Sequence, residues 1–181
     1  MTALIPTIET DRLILRAPQA GDFAPFAAFY ASDRARFVGG PLTAEGSWRM
    51  LAMEIGHWSL KGFGRWIAED RATGAAVGLI GLFEPEGWPE PEIGWDLFNG
   101  FEGHGYATEA ALAARDYAYD MLGWTTAISL VKEGNDASAA VARRMGAKPD
   151  GVVTHERHGQ MHVWRHPAPA ETSDGGMEAY A

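Results

Sequence analysis

Apolar residues along the chain fall in short clusters divided by glycine, proline and polar breaks. Residues 8–16 place Leu13, Ile14 and Leu15 between polar flanks and predict a first strand, and residues 19–31, rich in Phe and Ala, predict a helix beginning near Asp22. Thr43 is suited to an N-cap, with Glu45 and Gly46 in the first turn of a second helix running to about Leu60. Trp48, Leu51, Met53, Ile55 and Trp58 lie around that helix, and Gly62 and Gly64 break it. Residues 65–69 and 75–83 predict two strands around a turn at 71–74, and residues 91–98 predict a fourth strand.

Beyond that strand the pattern changes to an Ala-rich helical run over 106–122, which Gly123 stops. Residues 125–131 form a β-branched strand, Asn135 or Asp136 starts a short helix to Met145, and Gly146 ends it. Two short strands, near Val152-Val153 and at 161–164, complete a mixed α/β sheet with helices on both faces. No internal repeat is visible.

The junction at Gly100-Phe-Glu-Gly-His-Gly-Tyr-Ala-Thr-Glu-Ala110 sets a glycine turn against the start of the Ala-rich helix. Glycines at 103 and 105 let the backbone curl, and the first free N–H groups of the helix then converge where a diphosphate can sit. A P-loop would need Lys-Ser or Lys-Thr where Tyr106-Ala107 stand, and a dinucleotide fingerprint would need Gly or Ala at Thr108. Two readings stay open for the junction alone: an anion site for a nucleotide-type cofactor, or a plain strand-to-helix turn.

Composition narrows the class. A chain of 181 residues with 46% hydrophobic residues can bury one substantial core. No apolar run approaches a membrane span, the N-terminus lacks the features of a signal peptide, and cytoplasm is the expected location. With 15 Lys and Arg against 24 Asp and Glu, the net charge of −9 argues against a nucleic-acid surface and leaves room for an amine substrate. The absence of cysteine excludes a thiolate nucleophile and Cys-ligated zinc. His155, His158, His162 and His166 form no helical metal pair, so no metal site is expected. Residues 1–166 are expected to form a single domain, and the residues from Pro167 to Ala181, small, polar and acidic, are expected to be a disordered tail.

Several segments together resemble the GCN5-related N-acetyltransferase (GNAT) superfamily, and within it the branch that includes the ribosomal-protein N-terminal acetyltransferases of RimJ/RimL type. They are Glu9-Thr-Asp-Arg-Leu-Ile-Leu-Arg16, Trp66-Ile-Ala-Glu-Asp-Arg-Ala-Thr-Gly74 with Gly78-Leu-Ile-Gly81, Glu92-Ile-Gly-Trp-Asp-Leu, Gly103-His-Gly-Tyr-Ala-Thr-Glu-Ala110, Asn135-Asp-Ala-Ser138 and Arg143-Arg-Met-Gly146. They occur in the order expected of that branch and span about residues 8–165. The resemblance implies a mostly antiparallel sheet of six to seven strands, splayed between the fourth and fifth, flanked by about four helices.

It also implies acetyl-CoA as acetyl donor and direct attack by an amine in a ternary complex. The leading acceptor is a peptide or protein N-terminal α-amine. A small-molecule amine (a polyamine, an amino-acid analogue or an antibiotic) and a non-catalytic acyl-CoA-binding module are the alternatives. Relatives often dimerise, and the last strands are candidate exchange surfaces.

Site residues follow from the same resemblance. Backbone groups of Asp96, Leu97 and Phe98 are expected to bind the pantetheine arm, and Gly103, His104, Gly105, Tyr106, Ala107 and Thr108 the pyrophosphate. Gly100 departs from the superfamily's Gln or Arg at that position. Glu92 is the expected general base, relaying through water, with Asp96 as runner-up; on a two-residue period both share a face with Gly94, which leaves space for water or an amine. A solvated strand-end carboxylate is the alternative for Glu92. Ala142 stands at the usual position of a proton-donating tyrosine, so Ser138 takes the expected role of general acid, with Asn135 contacting CoA. Helix capping is the alternative for both.

Overall fold

The computed structural model describes residues 5–173. Eight strands form one sheet: β1 (Ile8–Glu9), β2 (Leu13–Arg16), β3 (Arg65–Asp70), β4 (Ala76–Phe83), β5 (Glu92–Leu97), β6 (Ile128–Val131), β7 (Lys148–His155) and β8 (Gly159–Arg165). Five α-helices accompany them: α1 (Phe23–Tyr30), α2 (Ala44–Lys61), α3 (Tyr106–Asp120), α4 (Asp136–Arg144) and α5 (Pro169–Ser173). The strand order is β1-β2-β3-β4-β5-β6-β8-β7, with every neighbour antiparallel except β5 and β6. The expected class therefore holds, with eight strands rather than six or seven. The extra strand arises where Thr10 folds its hydroxyl onto Leu13, accepting from its N–H at 3.0 Å, and splits the expected first strand in two.

Local chemistry sets the helix ends. Thr43 Oγ1 accepts from the Gly46 N–H at 3.1 Å and opens α2, and Gly62, at φ +78°, closes it. Asn135 Oδ1 accepts from the Ser138 N–H at 3.3 Å and opens α4. The sheet's alternation sorts two cores. Trp66, Ala68, Ile80 and Leu82 pack with Ala107, Ala110, Ala111, Ala114 and Ala118 of α3, whose small side chains bring that helix close to the strands. On the opposite face Ile67 and Leu79 pack with Phe26, Phe29 and Tyr30 of α1 and Leu51 of α2.

The segment expected to be a disordered tail begins at Pro167. The Pro167 carbonyl accepts from the Tyr119 hydroxyl at 2.8 Å, and α5 follows. At the start of α5 the Ala168 N–H donates to Glu171 at 2.9 Å. Residues 174–181 lie outside those described.

Candidate active site

β5 and β6 run parallel and share a single register pair, Glu92 with Ile128. The ladder begins normally, with the Ile128 N–H donating to the Pro91 carbonyl at 3.0 Å. In a regular parallel pair the Leu130 N–H would next meet the Ile93 carbonyl. Instead Ser129 Oγ donates to that carbonyl at 2.6 Å, and the Leu130 N–H donates to Glu92 Oε1 at 3.0 Å. Two side chains stand where one backbone bond belongs, and the strands part.

The separation opens into a cleft of about 630 Å³, in the size range of small-ligand sites. Glu92, Gly94 and Asp96 form its floor with Ser129 and Leu130, and Asn135 and Ser138 reach it from α4. A Cβ at Gly94 would meet nothing nearer than 4.0 Å, the nearest atoms being Arg65 Cδ and Nη1 and Glu92 Oε1, so space exists beside the carboxylate. Trp88, Phe83, His155 and His158 form an aromatic roof.

Glu92 is 8% exposed, which replaces the alternative of a solvated carboxylate with a buried one. Its Oε2 accepts from Trp88 Nε1 at 2.8 Å. Burial pushes its pKa up to about 7, against the opposing pull of the Leu130 N–H, the Trp88 indole and Arg65. The group thus sits near the value a base needs at neutral pH.

Asp96, the runner-up base, is held differently. Its Oδ2 accepts from the Tyr30 hydroxyl at 2.8 Å and from Arg65 Nη1 at 2.8 Å, and Arg65 Nε also donates to Glu54 at 3.1 Å. Burial raises the Asp96 pKa and Arg65 pulls it down. A carboxylate held this way anchors the floor and is poorly placed to accept a substrate proton. Sequence spacing could not reveal this, since Tyr30, Glu54 and Arg65 come from three distant elements.

The backbone expectation also needs adjustment. The Phe98 N–H donates to the Val77 carbonyl at 2.9 Å, and the register sets Asp96 opposite Leu79 and Leu97 opposite Gly78. Successive residues of a strand turn their amides to opposite edges, so Asp96 and Phe98 face β4, whereas Trp95 and Leu97 face the gap. Of the three expected residues, Leu97 alone offers its backbone to the gap, and its carbonyl already accepts from Arg34 Nη1 at 3.0 Å. Sequence could not single out Trp95, because the two-residue period fixes which residues share an edge but not which edge is open.

The glycine turn follows the other end of β5. Gly103 and Gly105 adopt φ +80° and +79°, and a Cβ at Gly103 would meet nothing within 4 Å. The Glu109 N–H makes the first helical bond of α3, to the Gly105 carbonyl at 3.1 Å, so the amides of Tyr106, Ala107 and Thr108 precede the helical ladder. Thr108 Oγ1 is buried without a hydrogen-bond partner among the described residues. These donors fit a pyrophosphate. Two arginines brace the turn: Arg12 Nη1 holds the His104 carbonyl at 2.9 Å, and Arg34 Nε pairs at 2.8 Å with Glu102, which accepts from the Gly100 N–H at 2.7 Å. The His104 ring is exposed and stacks on Tyr106 at 5.6 Å.

Ser138 is half-buried, and no hydrogen bond is made by its hydroxyl among the described residues. Ser129 and His166 were not anticipated. Since Ser129 Oγ gives its one hydrogen to Ile93, it accepts from His166 Nε2 at 2.8 Å, and burial holds the His166 pKa down at about 3. His162 pairs with Glu133 at 2.8 Å. Among the described residues no group of three or more His, Cys, Asp and Glu could hold a metal ion, and no helix is long and apolar enough to cross a membrane.

Residues 12–148 match the family described as the acetyltransferase (GNAT) domain, and the chain belongs to that family of acyltransferases. An acetyltransferase structure from Agrobacterium tumefaciens str. C58 superposes with a TM-score of 0.83 at 37% identity, covering 91% of this chain and 95% of that one. The uncharacterized N-acetyltransferase YoaA of Bacillus subtilis is 26% identical over 94% of this chain and 95% of its own length. The uncharacterized protein YkkB of the same organism is 38% identical over 48% of this chain, which spans about half (52%) of that relative. The fold is shared with RimL, a ribosomal L7/L12 alpha-N-protein acetyltransferase, at a TM-score of 0.73 and 16% identity over 89% of this chain and 93% of that one. Members of the family generally use acetyl-CoA as the acetyl donor.

Proposed function

We propose that this chain is an acetyl-CoA-dependent N-acetyltransferase whose acceptor is the α-amine of a peptide or protein N-terminus. The observation that carries the reading is Glu92, a buried carboxylate with a pKa near 7, facing a cleft that opens where β5 and β6 separate. The name of RimL, which shares the fold, supports the acceptor class.

When bound, acetyl-CoA supplies the acetyl group as a thioester. The amides of Gly103, His104, Gly105, Tyr106, Ala107 and Thr108 would hold its pyrophosphate, helped by the dipole of α3. Asn135, which lines the cleft, would contact the donor, and the gap-facing backbone of Trp95 and the Leu97 N–H would hold its arm. Glu92 takes the proton from the incoming ammonium through water, in the space beside Gly94. Ser138, whose hydroxyl lines the cleft, would relay a proton from solvent water to the sulfur as its bond to the acetyl carbon gives way to the new bond to the amine nitrogen. Gly100 leaves the turn without a cationic side chain of its own, and Arg34 lies beside it through Glu102.

The cleft volume of about 630 Å³ favours a second acceptor class, a free small-molecule amine. Neither class requires a membrane or nucleic acid, and a cytoplasmic setting suits both. A homodimer through β7, which forms one edge of the sheet and is largely exposed, belongs to the same reading, and sedimentation at several concentrations tests it.

Calorimetric titration with acetyl-CoA, alongside Gly103→Glu to block the turn, tests the donor. Binding by the natural chain and its loss in the variant support the reading. Absence of binding by the natural chain would overturn it, and acetyl transfer to panels of peptides and small amines then separates the two acceptor classes and a non-catalytic binding module.

A further inference from the structure

The loop between β4 and β5 carries Trp88 over the cleft, and several contacts fix it there. At its start the Glu84 N–H donates to His57 Nε2 at 3.0 Å. Near its end Glu90 pairs with Arg165 at 2.8 Å, and Arg165 also holds Asp150 of β7. The indole packs against Phe83 at 5.2 Å, His155 at 5.1 Å and His158 at 5.4 Å between ring centroids. The His155 ring is oriented in turn, its Nδ1 accepting from the Arg157 N–H at 3.1 Å. From this clamp the indole N–H reaches Glu92 Oε2, while the Leu130 N–H occupies Oε1.

On the reading that Glu92 is the base, we propose that Trp88 is its positioning residue: the clamped indole fixes the rotation of the carboxylate and leaves its remaining lone pairs directed at the space beside Gly94. A carboxylate held by the Leu130 N–H alone could rotate about its terminal bond, a broad torsion with little intrinsic preference. Two donors from different elements remove that freedom. The arrangement also couples the base to the β7–β8 hairpin, because His155 and His158 stand behind the indole that holds it. The other charged groups near Glu92 are Arg65 of β3, Asp96 of β5, Glu54 of α2 through Arg65, and Arg49, Glu86 and Arg157 along the cleft wall. His158 is kept neutral by burial, its pKa lowered to about 4.

The test uses the full chain labelled with ¹³C at glutamate carboxyls and ¹⁵N at tryptophan indoles, which requires no acceptor. Trp88→Phe keeps a ring in the clamp and deletes the donor. Expected results are an upward move of the Glu92 carboxyl titration by at least about half a pH unit in Trp88→Phe, and loss of the pH response of the Trp88 indole resonance in Glu92→Gln. An unmoved Glu92 titration, or an indole resonance indifferent to Glu92, overturns the proposal. If Trp88→Phe folds poorly, the indole measurement on the natural chain and Glu92→Gln decides alone.

Transfer kinetics then separate the two layers. Trp88→Phe should lower kcat about tenfold with the KM for acetyl-CoA unchanged, and should slow Glu92→Gln no further. Full additivity of the two substitutions means that Trp88 acts by packing alone and overturns the positioning role. Full activity of Glu92→Gln overturns the base itself while leaving the hydrogen bond in place.

Discussion

Leu130 gives its backbone N–H to Glu92 Oε1 at 3.0 Å, across the line where β5 and β6 stop pairing. The bond makes Glu92 part of the wedge that opens the cleft as well as the group that faces it. Ser129 completes the wedge by taking the Ile93 carbonyl and accepting from His166. Architecture and chemistry therefore meet in one side chain, and a substitution at 92 must be read on both.

The rate should depend on Glu92 ionisation. With a pKa of about 7, the carboxylate is protonated below neutrality and able to accept a proton above it. The acid limb of kcat/KM against pH should therefore have its midpoint near 7, and Glu92→Gln should lower kcat by roughly 10²–10⁴-fold and flatten that limb. Steady-state kinetics from pH 5.5 to 9 on the best acceptor peptide check it. A limb that persists in Glu92→Gln assigns the titration to another group.

Stability should carry the opposite signature. The folded state keeps the Glu92 proton up to about pH 7, whereas the unfolded chain releases it near the ordinary 4.5. Across that window the unfolded state binds fewer protons, so the contribution of Glu92 falls as pH rises and levels off above 7. The full effect is about 3 kcal/mol on the usual conversion of about 1.4 kcal/mol per pH unit. Urea unfolding at pH 5 and pH 8 measures it: the natural chain should lose up to that amount relative to Glu92→Gln between the two values. His158 and His166 are common to both proteins and cancel in the difference.

Much of this was legible before the structure, for identifiable reasons. Thr43 and Asn135 announce helix starts because capping is local, and the turn around Gly103 and Gly105 combines a local conformational demand with a following helix. Glu92 was legible as a candidate base only through the family resemblance, which sets a carboxylate at the start of that strand. Its two donors were not, because Trp88 has no motif and Leu130 became available only when the ladder failed. The partners of Asp96 were hidden for the same reason: Tyr30 and Arg65 lie 66 and 31 residues away in sequence. Strand alternation predicted that Glu92, Gly94 and Asp96 share a face, but the identity of the open edge depends on how β4 and β6 dock.

Arg65 should matter to folding more than its surface suggests. It is buried with Glu54 and Asp96, donating to Glu54 through Nε and Nη2 and to Asp96 through Nη1. Arg65→Met leaves two buried carboxylates without their cation and should destabilise the fold by about 3–5 kcal/mol. The loss should be smaller at pH 5 than at pH 8, because protonation relieves the stranded charges. Denaturant unfolding at both values measures it, and a loss below about 1 kcal/mol would indicate that the triad is solvated.

Ser138 poses the sharper question about catalysis. Its N–H caps α4 through Asn135, but its hydroxyl makes no hydrogen bond among the described residues and lines the cleft. Ser138→Ala keeps the backbone cap and removes only the hydroxyl, so stability should stay within about 0.5 kcal/mol, as for an ordinary surface substitution. If the hydroxyl protonates the departing sulfur, kcat should fall by about 10²-fold or more while acetyl-CoA affinity by calorimetry stays unchanged. Asn135→Ala, by contrast, removes the cap acceptor and should reduce stability by about 0.5–2 kcal/mol. A Ser138→Ala variant with unaltered kcat would leave the sulfur to be protonated by solvent and would reduce Ser138 to a cleft-lining residue.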